Sequence, residues 1–494
     1  MIHVNTYKTI GIEAVPVICE CEMSKGLGVH LVGLLDQSAK DGLLRTVTAL
    51  QSREYHIPGK KIVINLAPAD LVKSGTNYDL PIAISVIAES GQAEMNCLDE
   101  FAVIGELGLD ASVRYVKGAV QICEAALKAG KKIIIPQDNA LEVADLFGEE
   151  AQIYVAATLD DAIKILQGCD GVTAWDYFTA HKPADTPEEN TWDALDGFDA
   201  EKRALEIAAA GGHHLFLMGT PGSQTERLAR ALLDILPPID KEQMLETAKI
   251  YSTYGNRPPV RTRPIRNLYS ATSLQKLVGG ACDGNCPGEV SLANNGILCL
   301  DINNTLKVNL EALRGVLEDG TVTIARLRSR ITFPARFQFV ATALPCPCGY
   351  YGETPNRCTC TPGQRHAYLN RMNVALMDHI DLQVWCHPEL KAAGPSADNA
   401  RDVAARVKKA RDVQMRRQGK LNAELTVKEM PNLSPECEGL VSRLIGQMNL
   451  SARDYTRILK IARTIADLDD SEQIQKQHLV EAAAYRFFHR MTQE

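Results

Sequence analysis

The pattern of apolar and polar residues divides the chain into short buried runs and longer periodic stretches. Short, mainly apolar runs predict buried strands at residues 61–66, 101–104, 132–136, 215–218 and 297–300. Apolar residues at helical spacing predict helices at residues 80–90, 119–129 and 227–236. Strands and helices alternate up to residue 388, and the pattern after Pro388 is helical. We therefore predict a multidomain α/β protein with a helical carboxyl-terminal part.

The predicted division of the chain has four parts. Residues 1–168 form a first α/β domain, 169–192 a linker, 193–388 a second α/β unit, and 389–494 a helical domain. The linker prediction depends on residues 182–190, which are polar, contain proline and show no periodicity.

Composition narrows the class of protein. The 494 residues carry a net charge of −8, so any nucleic-acid site must be local rather than a property of the whole surface. The sequence shows no secretory signal and no apolar run long enough to cross a membrane, so no membrane partner is expected. Most of the 14 cysteines are scattered, which favours the reduced cytoplasm over a disulfide framework.

A strand, a tight loop and a helix follow one another between residues 215 and 236. Phosphate-binding P-loops have this order, because backbone N–H groups and a helix amino terminus hold phosphate there. The loop and first helical turn are Gly219, Thr220, Pro221, Gly222, Ser223, Gln224, Thr225 and Glu226. An ungapped count puts Thr225 and Glu226 where a P-loop needs Lys and Ser/Thr. A one-residue slip would keep a hydroxyl for Mg²⁺ at Thr225 but would still lack the cation.

Four cysteines lie close together after the second unit's predicted strands. Cys346, Cys348, Cys358 and Cys360 could supply the four thiolates that tetrahedral Zn²⁺ prefers. The alternative is a loop of reduced thiols without metal.

Two basic segments are candidates for nucleic-acid binding. Arg326, Arg328 and Arg330 alternate along a predicted strand or hairpin, so we expect them on one face, where they could contact DNA phosphates. The alternatives are a solvated strand face or pairing with Glu318 and Asp319. A second basic run, residues 401–420, is predicted to be a solvated helix face.

Several longer motifs resemble those of the magnesium-chelatase-like AAA+ ATPases of the ComM/YifB family. They occupy residues 79–83, 104–107, 202–213, 287–293, 310–314, 317–320, 333–338, 450–453 and 455–463. The resemblance covers nearly the full chain. It implies a Lon-protease-like amino-terminal domain, an AAA+ P-loop core, a helical lid and a hexameric ring. Some family members act on branched DNA during recombination.

The resemblance also implies which residues stand at the family's ATP site. Asp301 is the first acid after a strand, but Ile302 takes the place of the water-orienting acid, Leu344 that of the sensor Asn, and His379 that of the arginine finger. The lid arginines are retained as Arg453 and Arg457. Together with Thr225, four of five catalytic parts are altered, so we predict negligible ATP hydrolysis and leave open whether ATP or ADP still binds with Mg²⁺.

The Ser and Lys that a Lon-type protease needs are also replaced in the amino-terminal domain. Asp79 stands near the Ser place and Ile122 near the Lys place, so we expect a packing or assembly domain and no protease. Lys117 and Ser74 lie nearby in sequence, but sequence alone does not pair them.

The sequence therefore predicts a ring-forming or regulatory component of DNA processing with an impaired ATPase, either in its own ring or in a ring with an active paralogue. Two alternatives stay open: an active ATP-dependent DNA branch-migration motor, and a protein-interaction scaffold that binds neither nucleotide nor DNA.

Overall fold

The computed structural model describes residues 1–168, 171–182, 190–255, 260–268, 272–280, 286–326, 329–353, 357–370, 372, 374–388, 398–448 and 450–491. No helix among these residues is long and apolar enough to cross a membrane.

The first domain is built on a seven-stranded mixed sheet with strand order β3-β4-β2-β1-β5-β8-β9. The strands of the domain are β1 (Ile2–Ile10), β2 (Glu13–Ser24), β3 (Gly28–Val32), β4 (Lys61–Ala67), β5 (Phe101–Val103), β6 (Glu106–Leu107), β7 (Val113–Arg114), β8 (Lys132–Pro136) and β9 (Ile153–Ala156). Of these, β6 and β7 form a separate two-stranded sheet. Its helices are α1 (Gln37–Ser52), α2 (Asp79–Glu89), α3 (Ala119–Lys128), α4 (Ala140–Phe147), α5 (Leu159–Leu166) and α6 (Ala174–His181). The predicted strands at 61–66, 101–104 and 132–136 and the helices at 80–90 and 119–129 are confirmed.

Helix α6 corrects the predicted linker. Thr173 caps it, accepting a hydrogen bond from the Asp176 N–H, and the helix packs against α4 and β9. Phe178 is buried, so residues 174–181 belong to the first domain. Trp192, at the other end of the predicted linker, is 1% exposed. Residues 183–189, on which the linker prediction mainly depended, lie outside the described residues.

The second unit contains a five-stranded parallel sheet with strand order β11-β12-β15-β10-β16. The strands are β10 (Leu215–Gly219), β11 (Ile265–Leu268), β12 (Ile297–Asp301), β13 (Thr321–Arg326), β14 (Ser329–Pro334), β15 (Gln338–Ala343) and β16 (Leu382–Cys386). The helices are α7 (Asp199–Gly211), α8 (Thr225–Ile235), α9 (Lys241–Tyr254), α10 (Leu274–Val278), α11 (Glu289–Leu292), α12 (Lys307–Asp319), α13 (Pro362–Leu369) and α14 (Val374–Met377). Strands β13 and β14 form a separate antiparallel hairpin. The other five strands are parallel, so their carboxyl ends meet at one edge of the sheet, where ligands usually bind.

The carboxyl-terminal helices form the predicted helical part. They are α15 (Ala400–Gln418), α16 (Pro435–Met448), α17 (Ala452–Leu468), α18 (Lys476–Ala484) and α19 (Phe488–Met491). Helices α15 and α17 pack against α7 of the core, sharing one apolar cluster with it.

The basic run on α15 is only partly the solvated face that the sequence predicts. Arg406 pairs with Glu206 at 2.7 Å, and Arg417 pairs with Asp467 at 2.6 Å. Arg411 donates from Nε to the carbonyl oxygen of Ala209. These side chains fasten the helix to the core and to α17, so they are not freely solvated.

Candidate nucleotide and metal site

The P-loop lies at the carboxyl edge of the core sheet, as the sequence predicts. Strand β10 is buried along its whole length, and α8 begins at Thr225. Gly219 must be glycine, because a Cβ there would lie 2.1 Å from Ser223 Oγ. The Ser223 N–H donates to Thr220 O at 3.0 Å, which closes the turn, and the Thr220 hydroxyl oxygen is buried with no partner among the described residues. The backbone cradle for a phosphate is therefore present.

The side chains around this cradle do not suit Mg²⁺-bound phosphate. Gln224 holds a left-handed backbone with φ of 50°, a conformation that glycine adopts without cost. Glu226 lies exposed in the first turn of α8, where its carboxylate interacts favourably with the helix dipole. A phosphate in the cradle would meet this negative charge and no P-loop lysine. The backbone of the P-loop suits a phosphate, but its side chains do not.

Ile302, at the position of the family's water-orienting acid, is buried. Asp301 ends β12 and its Oδ1 accepts the Asn303 N–H at 3.0 Å. Ile302 begins a 3-10 turn (Ile302–Asn304) and is 4% exposed, packed in an apolar cluster with Leu300 and Leu310. An aliphatic side chain in this position cannot orient an attacking water.

Leu344 lies at the rim of the same edge, just after β15, and its side chain is 36% exposed. The Tyr368 hydroxyl lies 3.0 Å from the Leu344 carbonyl oxygen and also contacts Asn303 Oδ1. Tyr368 thereby ties α13 to the ends of β12 and β15. Sequence analysis missed this residue, since a lone tyrosine in a helix carries no distinctive signal.

The four cysteines form one cluster beside the P-loop. Their Sγ atoms all lie within 4.8 Å of one another. The Sγ of Cys346 is 3.3 Å from that of Cys348 and 3.7 Å from that of Cys358, and the latter two are 3.6 Å apart. Zn–S bonds of about 2.3 Å would put the sulfurs of a tetrahedron about 3.8 Å apart. The thiol cluster therefore has nearly the dimensions of a zinc site.

Backbone groups favour a charged sulfur in the cluster. The N–H groups of Tyr350 and Thr359 lower the pKa of the Cys348 thiol to about 5, while burial raises that of Cys346 to about 12. Gly349, at φ of 86°, abuts the P-loop, because a Cβ there would lie 3.2 Å from the ring of Pro221. The thiol cluster and the P-loop are direct neighbours.

Three other predicted site residues lie at the opposite edge of the sheet. His379 contacts Glu318 at 3.2 Å, Arg453 pairs with Asp378 at 2.6 Å, and Arg457 lies 3.5 Å from Asp381, which precedes β16. The strands separate the two edges by on the order of 15 Å. The assignment of Arg453 and Arg457 to the same nucleotide site as the P-loop is therefore wrong within one chain.

His379 is a weak substitute for an arginine in this position. Desolvation lowers the pKa of its imidazole, so it is neutral at pH 7 even though Glu318 is close.

The basic hairpin β13–β14 does not have the single arginine face that the sequence predicts. Its register pairs position 326 with Ser329 and Arg330 with Ala325, so positions 326 and 330 fall on opposite faces. The pairing of position 326 with Ser329 puts positions 326 and 330 out of phase, and this is the reason for the error. Arg328 lies outside the described residues, and for Arg326 only the backbone is described. Arg330 is exposed.

Asp79 and Ile122, which stand near the Ser and Lys places of a Lon-type protease, are buried in the core of the first domain. Asp79 is 1% exposed and binds Arg45 at 2.8 Å, and Ile122 is 1% exposed. Ser74 accepts a hydrogen bond from Lys8 Nζ at 3.1 Å, whereas Lys117 lies against Gly255. The lysine beside Ser74 is therefore Lys8, which sequence spacing could not indicate because 66 positions separate the two.

Comparison with known proteins covers almost the whole chain. Models described as subunit ChlI of Mg-chelatase, as magnesium chelatase subunit ChlI and as its C-terminal part match residues 19–139, 192–393 and 397–486, respectively. The uncharacterized protein YifB of Escherichia coli is 39% identical over 99% of this chain and 97% of its own. The competence protein ComM of Haemophilus influenzae is 37% identical over 98% and 97%. An archaeal Lon protease of Methanocaldococcus jannaschii is 25% identical over 31% of this chain and 25% of its own.

Proposed function

Since the chain belongs to the magnesium-chelatase-like ComM/YifB family of AAA+ proteins, we propose that it is a ring-forming or regulatory member with an impaired ATPase. In this proposal it works in DNA processing, which is the role that the resemblance to the ComM/YifB family implies. The first domain, which we propose to be Lon-protease-like in fold, serves for packing and assembly.

One observation carries the proposal: the P-loop keeps its backbone but presents Thr225 where a phosphate would need a cation and Glu226 where its metal would need a hydroxyl. Ile302 supports it as well, because its buried aliphatic side chain supplies no carboxylate to orient an attacking water. The neutral His379 supports it again, because a neutral ring cannot replace a finger arginine.

Nucleotide turnover tests the proposal. We expect no hydrolysis by the wild-type protein. The triple variant Gln224→Gly, Thr225→Lys, Glu226→Thr should bind ATP at least tenfold more tightly, measured by calorimetry, and should still lack turnover. Adding Ile302→Glu should be required before any phosphate is released, with Leu344→Asn and His379→Arg increasing the rate non-additively. A matched control is Glu226→Thr alone, which removes the repulsion without supplying a lysine.

Robust hydrolysis by the unmodified chain, abolished by Asp301→Ala, would contradict the proposal. Because Ile302 is buried, each variant carrying Ile302→Glu needs a melting curve beside the assay. Loss of folding would otherwise be mistaken for loss of chemistry.

We also propose that Cys346, Cys348, Cys358 and Cys360 bind one Zn²⁺ in a structural site, supported by the sulfur separations. Protein purified under reducing conditions should contain about one zinc per chain by elemental analysis. Cys348→Ser with Cys360→Ser should remove the metal, whereas the control Cys97→Ser in the first domain should not. Metal-free protein with four titratable thiols in this cluster would refute the site.

A further inference from the structure

A cleft of about 890 Å³ opens between the core and the carboxyl-terminal helices, at the amino ends of the core strands. Its walls come from the start of β15, from the end of α12 and from α15 and α17. The P-loop, beyond the opposite ends of the same strands, contributes none of its lining residues. The cleft is therefore a separate site from the P-loop.

Cations outnumber carboxylates in the lining of the cleft. Six positively charged side chains line it: Arg263, Arg336, Arg411, Arg453, Arg457 and Lys460. Four carboxylates share the lining: Glu318, Asp319, Asp381 and Glu424. Glu318 already contacts Arg314 and His379, at 3.1 and 3.2 Å.

Three of these cations donate to carbonyl oxygens and form no ion pair with an acid among the described residues; they are Arg263, Arg411 and Lys460. Arg263 donates to the carbonyls of Pro237 and Asn295, both at 2.7 Å. Arg411 caps the carboxyl end of α7 through Ala209 O at 2.8 Å, and Lys460 donates to Ala423 O at 2.7 Å. Carbonyls and a helix end carry only partial negative charge, so the full charges remain incompletely compensated.

Arg457 has a buried donor that finds no acceptor among the described residues. Its side chain is 14% exposed, its Nε lies 3.5 Å from Asp381, and its Nη1 is buried with no acceptor among the described residues. Desolvation also lowers the pKa of Arg263, Arg411, Arg457 and Lys460, as expected for cations that lack sufficient countercharge.

We propose that this cleft binds an oligophosphate, either free or as the phosphate chain of a nucleotide. Several linked phosphates supply clustered negative charge and many acceptor oxygens, which suits guanidinium groups on several walls. The site acts in the single chain and needs neither the P-loop nor Mg²⁺. It therefore goes beyond the proposed function and does not depend on it.

Calorimetric titration with sodium tripolyphosphate, in the absence of Mg²⁺, tests the proposal on the full-length protein. We expect saturable binding that Arg411→Met or Lys460→Met weakens at least tenfold. Arg336→Met should weaken it too. Arg336 is an exposed residue whose loss should leave folding intact, and it keeps the test valid if the Arg411 variant unfolds. A parallel titration with ATP identifies the source: equal affinity assigns the site to phosphates alone, and tighter binding assigns it to a nucleotide.

Two variants serve as controls. Arg416→Met removes the same charge from the exposed side of α15, and Thr225→Glu adds a negative charge to the P-loop. Neither should change the affinity. The proposal is overturned by the absence of binding, by an equal loss with Arg416→Met, which would mean a net-charge effect, or by a loss confined to Thr225→Glu, which would place the phosphates in the P-loop.

Discussion

Asp79 shows how a single buried charge is held in the first domain. It is 1% exposed and binds Arg45 at 2.8 Å, and it also accepts the Leu107 N–H at 3.3 Å. Burial raises the pKa of the Asp79 carboxyl to about 6, against the opposing effect of Arg45. Folded protein therefore binds a proton here more readily than unfolded protein, and ionisation of Asp79 costs stability as pH rises from about 4 to above 6.

Removing the arginine should strengthen that pH dependence. Arg45→Met leaves a buried carboxylate without its cation, so we expect a loss of about 3 kcal/mol in the free energy of unfolding at pH 7.5. The loss should shrink at pH 5, where Asp79 becomes protonated. Urea unfolding at both pH values measures this. The control Arg53→Met, in an exposed pair with Asp160, should cost less than about 1 kcal/mol. An equal loss at the two pH values would contradict the role assigned to Asp79.

Gly211 fixes the contact between the core and α17. His213 is fully buried and lies 3.1 Å from Asp381 and 2.8 Å from the Thr464 hydroxyl. A Cβ on Gly211 would lie 2.2 Å from His213 Nε2 and 2.6 Å from Thr464 Oγ1. Only glycine leaves room for this buried polar contact.

We therefore expect Gly211→Ala to destabilise the protein by about 2 kcal/mol, as overpacking of a buried site does. Gly446→Ala is the matched control, because Gly446 lies within helix α16 with open space around its Cβ position. That change should be neutral or stabilise by up to about 1 kcal/mol. The melting temperatures of the two variants test this expectation. Equal shifts would contradict the requirement for glycine at position 211.

At the scale of elements, the hairpin β13–β14 has two different faces. Val322, Ile331 and Phe333 on one face are buried, and a Cβ on Gly11 in the β1–β2 turn would lie 2.8 Å from Ile331. The other face bears the exposed pair Thr323 and Thr332 and, two positions along, Arg330.

If the hairpin contacts DNA, the exposed face should do so. We expect Arg330→Ala to weaken binding to a short duplex and to reduce the salt slope by about one phosphate contact. Arg326→Ala should have the smaller effect, since position 326 falls on the apolar face. The exposed α15 residue Arg416, changed to Ala, is the control. An unchanged salt slope with Arg330→Ala would remove the hairpin from the proposed interface.

Local sequence signals predicted the elements well and their relative placement poorly. The P-loop helix was expected from residue 227 and begins at Thr225, because apolar spacing and turn residues are local properties. The face of Arg330 depended on the pairing register of the hairpin strands, and the partner of Ser74 on the packing of a loop over β1. The edge at which Arg457 lies depends on how α17 packs against the core, which no local pattern encodes.

At the scale of the whole molecule, the two edges of the core sheet have different relations to a neighbouring subunit. The P-loop is at one edge, and His379 with Arg453 and Arg457 is at the other. In the proposed ring, the second edge would face the nucleotide of the next subunit. Substitutions at the P-loop would therefore affect the chain's own nucleotide site, whereas substitutions at the second edge would affect the site of its neighbour.

This separation predicts that the chain slows an active neighbour. Mixing it with a family member that keeps its P-loop lysine should lower ATP turnover per active subunit, because neutral His379 stands at the finger position. His379→Arg should relieve the inhibition, and Arg416→Met should not. Unchanged turnover in mixed assemblies isolated by size-exclusion chromatography would contradict the prediction.

The burial of Ile302 has a consequence for any attempt to engineer hydrolysis into this chain. Its side chain is part of the apolar cluster that includes Leu300 and Leu310. Replacing it by an acid would bury a carboxylate, so folding opposes the one substitution that would supply a water-orienting group. If the ATPase is impaired as we propose, no single substitution restores hydrolysis, because the position of Thr225 would need a lysine as well.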